Sequence, residues 1–182
     1  MTSFLTFDNN ETEILFAGGA PKFAKLTDGR TVVVGIENQD LYAQLYSKNL
    51  EPLGERFLIN TNETKEGYLP SGGLGGFSIF ANSDGDFTVV WNYNFNSVEE
   101  EGSYVFAQQF SPDGLVKSGV KEIAGPNSYP FLSPTVVELS NLDILITWQG
   151  NGDTGWGSGV FGTILSQDLN TVKKSEFLIN QL

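Results

Sequence analysis

The sequence predicts an all-β chain of three four-stranded antiparallel repeat units, and three observations carry that prediction. One pattern recurs about every 56 residues, the spacing at which solenoids and propellers are built. Asp-Gly pairs stand directly before β-branched runs, which is hairpin chemistry. No stretch sustains a capped 3.6-residue apolar period, so little or no helix is expected.

The pattern is plainest where 23–35, 79–91 and 136–148 are set side by side. Each opens on a short strand A, turns at Asp28-Gly29, Asp84-Gly85 or Asn141-Leu142-Asp143, and enters an apolar strand B: Thr31 to Ile36, Phe87 to Trp91, Ile144 to Trp148. Strand C follows with period-two alternation and a closing serine, at 41–47, 105–111 and 160–166. A short turn then leads to strand D at 55–60, 120–124 and 176–180. Upstream, Glu13 to Phe16 reads as an extra D strand within residues 1–20. The expected organisation is one repeat domain over 1–182, with units at 21–73, 74–132 and 133–182.

Units of this length suggest the blades of a β-propeller. Three blades cannot close a ring of the usual four to eight, so a homodimer completing a six-bladed ring is expected. A three-sheet β-prism is the alternative arrangement.

Composition narrows the partners. With 22 acidic and 10 basic residues the net charge is −12, which opposes nucleic-acid binding through counterion release and opposes anionic membranes. There is no cysteine and no histidine, which removes disulfides, thiolate chemistry, the usual general base and the commonest metal ligand. Residues 1–10 have neither a basic nor an apolar signal region, and nowhere do about 18 apolar residues run together, so no Sec-type signal or membrane span is expected. The compartment stays open on these grounds.

Asp84-Gly85, Trp91, Gln108 and Phe110, with Trp148-Gln149, Gly152-Asp153, Gly157 to Val160, Tyr42 to Gln44, Glu55 and Ile59-Asn60, carry a family resemblance. Over about Pro21 to Asn180 the chain resembles the tandem β-repeats of large bacterial and cyanobacterial RTX-associated secreted proteins. That resemblance implies propeller-like blades and an extracellular location. The chain departs from the pattern at Gly35, where Trp91 and Trp148 stand in the other units, and at Thr163, where Gln44 and Gln108 stand. The first B–C loop is also short, and the calcium-binding Gly-Gly-x-Gly-x-Asp nonapeptides of such arrays are missing. Ser47, Ser111 and Ser166, each followed two residues on by Asn49, Asp113 or Asp168, resemble a reduced Asp-box turn of sialidase-type propellers, a marker of fold and not of catalysis.

In an antiparallel A-B-C-D sheet the A–B and C–D turns share one end, and the B–C and D–A loops share the other. The first end carries tight turns; the second carries long loops, and binding residues are disproportionately borne by such loops on a rigid scaffold. Trp156 lies in a glycine-rich loop with Gln149, Asn151, Asp153 and Ser158, the residue types of a sugar-stacking platform ringed by hydrogen-bonding groups. Tyr93 and Phe95 on the adjacent loop are expected to extend it, whereas Trp91 and Trp148 read as packing between blades. Asn82 to Asp86 has the oxygen content of a calcium loop but reads as a hairpin turn, like Thr27 to Arg30. Calcium is the one cofactor the loops could serve, through Asn94, Glu99 to Glu101, Asn151 and Asp153; no metal ligand set is assigned.

These observations lead to the expectation of a non-enzymatic binding protein that uses the long-loop face to hold a polysaccharide or a protein, without catalytic residues. One alternative is a structural assembly module. The other is a carbohydrate-active hydrolase, since glycosidases need only two acids about 5 to 9 Å apart, and Glu63, Glu66, Glu99, Glu100, Glu101 and Asp153 belong to that face.

Overall fold

In the computed structural model the described residues are 3–7, 10–14, 18–37, 40–60, 76–96, 101–127, 132–151 and 158–180, with side chains described over 21–37, 40–60, 76–93, 103–125, 133–150 and 159–180. The strands are β1 (Ser3–Phe7), β2 (Asn10–Ile14), β3 (Gly18–Lys25), β4 (Thr31–Glu37), β5 (Asp40–Tyr46), β6 (Pro52–Leu58), β7 (Phe77–Ala81), β8 (Phe87–Asn96), β9 (Glu101–Phe110), β10 (Lys121–Asn127), β11 (Leu132–Glu138), β12 (Ile144–Asn151), β13 (Ser158–Leu165) and β14 (Val172–Leu178). They form three four-stranded antiparallel sheets in chain order, β3 to β6, β7 to β10 and β11 to β14, here sheets 1, 2 and 3. The expected extra N-terminal strand is instead a hairpin, in which β2 pairs with β1 in a sheet of its own. Among the described residues no helix is long and apolar enough to cross a membrane.

Side-chain alternation fixes how the sheets stack. Val32 and Val34 on β4 and Leu41 and Ala43 on β5 meet Phe87, Val89 and Trp91 on β8 and Phe106 on β9, forming one core between sheets 1 and 2. The intervening residues Val90, Val105 and Ala107 point the other way and meet Ile144, Ile146, Trp148 and Leu165 of sheet 3 in a second core. Sheet 2 is therefore covered on both faces, which is why β8 is buried without interruption from Phe87 to Tyr93. A prism would give each sheet one inner face around a shared core; a serial stack with two separate cores is the arrangement of propeller-like blades. The first strands of the sheets lie innermost, with β7 against β3 and β11 against β7 and β8. Trp91 and Trp148 are buried packing residues, as their repeat positions suggest.

The recurring polar residues bind the sheets together internally. Gln44 Nε2 donates to the carbonyls of Leu45, Leu53 and Gly54, Gln108 Nε2 to Ser118 O, and Thr163 Oγ1 to Lys174 O, each tying a C strand to an irregular D strand. The hydroxyl of Thr163 thus does the work of the amides at the equivalent positions. Asn60 Oδ1 accepts from Leu41 N, and Asn180 Oδ1 from Val160 N, both at 2.6 Å, extending the C–D ladder by a side-chain rung.

The tight turns share one hydrogen-bond pattern, exemplified by Leu26 N to Arg30 O and Gly29 N to Leu26 O. It ends on a left-handed residue, glycine at 29, 85 and 114 but leucine at 50, 142 and 169. A leucine there costs roughly 1 kcal/mol relative to glycine; Leu169 offsets this by burying its side chain between sheets 2 and 3. The closing serines organise the C–D turns: Ser47 Oγ accepts from Asn49 N and Glu51 N, and Ser111 Oγ from Asp113 N and Leu115 N.

Two predictions follow from these turns. Asn82 is fully buried; its Oδ1 accepts from buried Thr88 Oγ1 at 3.1 Å, while its Nδ2 has no hydrogen-bond partner. The equivalent pairs are apolar, Leu26 with Val32 and Leu139 with Leu145. Thr88→Val is expected to cost about 1–3 kcal/mol by stranding the amide, whereas Asn82→Leu with Thr88→Val should be within about 1 kcal/mol of the native protein or more stable. Denaturant unfolding of both variants checks this, and equal destabilisation would refute it.

The second concerns Asp168, whose carboxylate accepts from Ser166 Oγ and from Asn170 through both side chain and backbone, lowering its pKa from an ordinary 3.8 to about 2. A depressed carboxylate stabilises the fold above its unfolded value and loses that contribution as pH falls towards the folded value. Asp168→Asn should therefore flatten the decline in stability between pH 4 and pH 2, measured by urea unfolding at stepped pH.

Candidate functional site

Connectivity places the B–C and D–A loops at one end of the stack. Residues 38–39, 61–75, 97–100, 128–131 and 152–157 of that end lie outside the described residues. What is described is the rim of strand ends that carries them.

Nearest the centre are the innermost strands. Lys22 on β3 donates through Nζ to Phe77 O on β7 at 2.5 Å, and its ammonium lies 5.3 Å from the Phe77 ring centroid. Partial burial lowers the pKa of Lys22 from its ordinary 10.5. Its repeat equivalents are Ser78 and Thr135, so a cation here belongs to sheet 1 alone. The sequence reading passed over Lys22; its only signal was a charged residue where the other units place a small hydroxyl. On β11, Ser133 takes a left-handed φ of 51° beside an irregularity between Leu132 and Thr135. A non-glycine residue in that region is held against a local cost, a feature that clusters at functional loops.

On sheet 1, the short B–C connection brings Glu37 opposite Asp40. Arg56 bonds Glu37 at 2.6 Å with its guanidinium 6.0 Å from the Tyr42 ring centroid, and Asn60 Nδ2 donates to Asp40 Oδ1. Both carboxylates thus have structural partners. On sheet 2, Tyr93 is buried, edge-on to Phe106 at 6.5 Å, while Tyr104 stacks on Phe106 at 5.9 Å. Tyr93 therefore faces sheet 1 and packs the first core, on the side of sheet 2 away from sheet 3. Phe95 pairs with Gly102 on the backbone of the same hairpin.

On sheet 3, Gln149 is exposed and pairs with Val160, and Asn151 pairs with Ser158 as the last rung before the B–C loop. These three residues share the mouth of one hairpin. Asp153 and Trp156 of the expected platform lie in that loop, outside the described residues. So do Glu63, Glu66, Glu99 and Glu100; Glu101 begins β9, paired with Asn96. Asn82 to Asp86 is a turn, with Asp84 Oδ1 accepting from Asp86 N and Asp86 paired to Lys117 at 2.8 Å. Among the described residues no group of three or more acidic side chains is disposed to hold a metal.

No protein-family model matches the chain, and no curated protein matches its sequence. Solved structures do match in fold. The chain is similar to an endo-arabinase from Bacteroides thetaiotaomicron, at 13% identity and a TM-score of 0.55, over 89% of this chain and 62% of that one. It is similar to a thermostable family-43 glycoside hydrolase, at 17% identity and a TM-score of 0.52, over 89% of this chain and 54% of that one. It is also similar to the K499G mutant of NanB sialidase from Streptococcus pneumoniae, at 13% identity and a TM-score of 0.52, over 96% of this chain and 26% of that one. The chain thus spans less than two thirds of the length of each of these proteins.

These neighbours correct the expectation of a non-enzymatic binding protein. That expectation ranked the hydrolase alternative lower because nothing in the sequence marks one loop acid as buried with the raised pKa an acid catalyst needs, yet three proteins named as carbohydrate enzymes are similar to this chain in fold. Chemistry on glycosidic bonds needs carboxylates and neither histidine nor cysteine.

Proposed function

We propose that the chain supplies three blades of a carbohydrate-active hydrolase and takes its substrate at the long-loop end. The observation that carries this reading is the likeness in fold to an endo-arabinase, a family-43 glycoside hydrolase and a sialidase over 89% or more of the chain. The loop composition agrees with it. Glycoside hydrolysis uses one carboxyl group as general acid and a second as base or nucleophile, and Glu63, Glu66, Glu99, Glu100, Glu101 and Asp153 are the acids that belong to that end. Trp156 offers an aromatic face for a sugar ring, with Gln149, Asn151 and Ser158 at the mouth of its hairpin as hydrogen-bonding partners.

Charge selects among the substrates. A net charge of −12 repels an anionic sialoside and leaves a neutral polysaccharide unaffected. A neutral glycan of the arabinan kind is therefore the favoured class.

Release of reducing ends from arabinan, other neutral polysaccharides and a sialylated glycan tests the reading. Hydrolysis of a neutral polymer is expected, with one or two of Glu63→Gln, Glu66→Gln, Glu99→Gln, Glu100→Gln, Glu101→Gln and Asp153→Asn lowering the rate by about 10²–10⁴-fold. No hydrolysis of any glycan, or activity untouched by all six variants, would overturn it.

A further inference from the structure

The repeat supplies its own control for each polar position. Lys22 stands in β3 where Ser78 stands in β7 and Thr135 in β11, so one place on the innermost strands carries an ammonium once and a hydroxyl twice. Packing does not require the cation. The junction of sheets 2 and 3 buries Val90, Ile144, Ile146 and Trp148 with only the half-buried Ser78 at that place. A charge between the first strands of sheets 1 and 2 therefore serves something other than holding blades together.

Its position is at the long-loop end. Phe77, whose carbonyl accepts from Lys22 Nζ at 2.5 Å, is the first residue of β7, where the D–A connection enters sheet 2. An ammonium has three N–H donors, and this bond leaves two for other acceptors. Among the described residues the ion pairs are those of Arg30, Arg56 and Lys117, and none reaches Lys22. The charge is partly buried, and burial is what lowers its pKa from 10.5. A cation drawn partly out of water is disfavoured until acceptor oxygens replace the water it has lost.

We propose that Lys22 is a substrate-binding residue, its ammonium donating to the hydroxyl oxygens of one sugar unit of a neutral polysaccharide seated over β3 and β7. This rests on the reading of the long-loop end as the glycan site. Vicinal hydroxyls present two acceptor oxygens side by side, which suits two free N–H groups on one nitrogen. A neutral unit also adds no further negative charge to a chain of net charge −12.

Calorimetric titration with arabinan and release of reducing ends from it, on the native chain, Lys22→Met and Lys22→Arg, test the inference. Lys22→Met is expected to weaken arabinan binding and raise KM by about 10-fold or more, as for the loss of a hydrogen bond to a charged group. Because the contact is made alike before and during reaction, kcat should stay within about 3-fold. Lys22→Arg, which keeps charge and donors, should recover most of the affinity. A lysine that only braces the sheets would lower the urea midpoint and leave the affinity of the folded protein unchanged, and that result would overturn the proposal. So would a loss confined to polygalacturonate, an anionic polymer, or a native chain that binds no neutral polysaccharide. If circular dichroism shows Lys22→Met unfolded, Lys22→Gln, which keeps an N–H donor without the charge, is read in its place. The two readings fail separately. Arabinan bound through Lys22 but never cleaved keeps this inference and removes the hydrolase; arabinan cleaved with a KM indifferent to Lys22→Met does the reverse.

Discussion

Covering the middle sheet on both faces is the constraint on which the rest of the structure depends. A four-stranded sheet cannot bury its own apolar residues; it needs a neighbour, and a neighbour added to one side brings a further face with it. Sheet 2 resolves this by having a sheet on either side, and its β8 strand sends Phe87, Val89 and Trp91 one way and Val90 the other. Sheet 3 leaves Val160 and Ile179 exposed on its outer face, whereas sheet 1 buries Val33 and Tyr46 on the face turned away from sheet 2. The innermost strands, the tight turns and the inter-sheet polar links all follow from holding these two junctions in register. Arg30 with Asp113, Gln109 with Gln167 and Ser83 with Glu138 tie them at the tight-turn end.

The residues that make the repeat visible turn out to be its scaffold. Gln44, Gln108 and Thr163 bind the D strands; the closing serines set the C–D turns; Asn60 and Asn180 finish the ladders. A residue recurs in every unit because each unit must solve the same hydrogen-bonding problem. Whatever distinguishes this protein chemically must therefore sit where the units differ, in the loops of unequal length and in single departures such as Lys22.

Much of the fold was legible because period-two alternation and Asp-Gly turns are local signals that survive without knowledge of the partner strand. The alternation even assigns faces: Val89 and Val90 are identical side chains, yet their parity sends them to different cores. The leucines at 50, 142 and 169 were less legible, because a left-handed turn position normally announces itself as glycine. The site was legible only as a location. Tyr93 lies at the start of an aromatic, asparagine-rich segment, but β8 continues through it to Asn96, so it joins the first core. Acids in glycine- and asparagine-rich loops carry no period that would say which of them meet. The hydrolase alternative ranked below binding because no local signal marks one of those acids as buried, the setting that raises the pKa of an acid catalyst.

In both junctions one face of a sheet meets the opposite face of the next, and this has a consequence for ancestry. A unit whose two sides are complementary to each other can be copied in tandem without redesigning any junction, because each new copy meets an old surface in the accustomed register. Such a lineage changes size by whole blades. Gly35, where the other units carry Trp91 and Trp148, is one of the positions at which the copies differ.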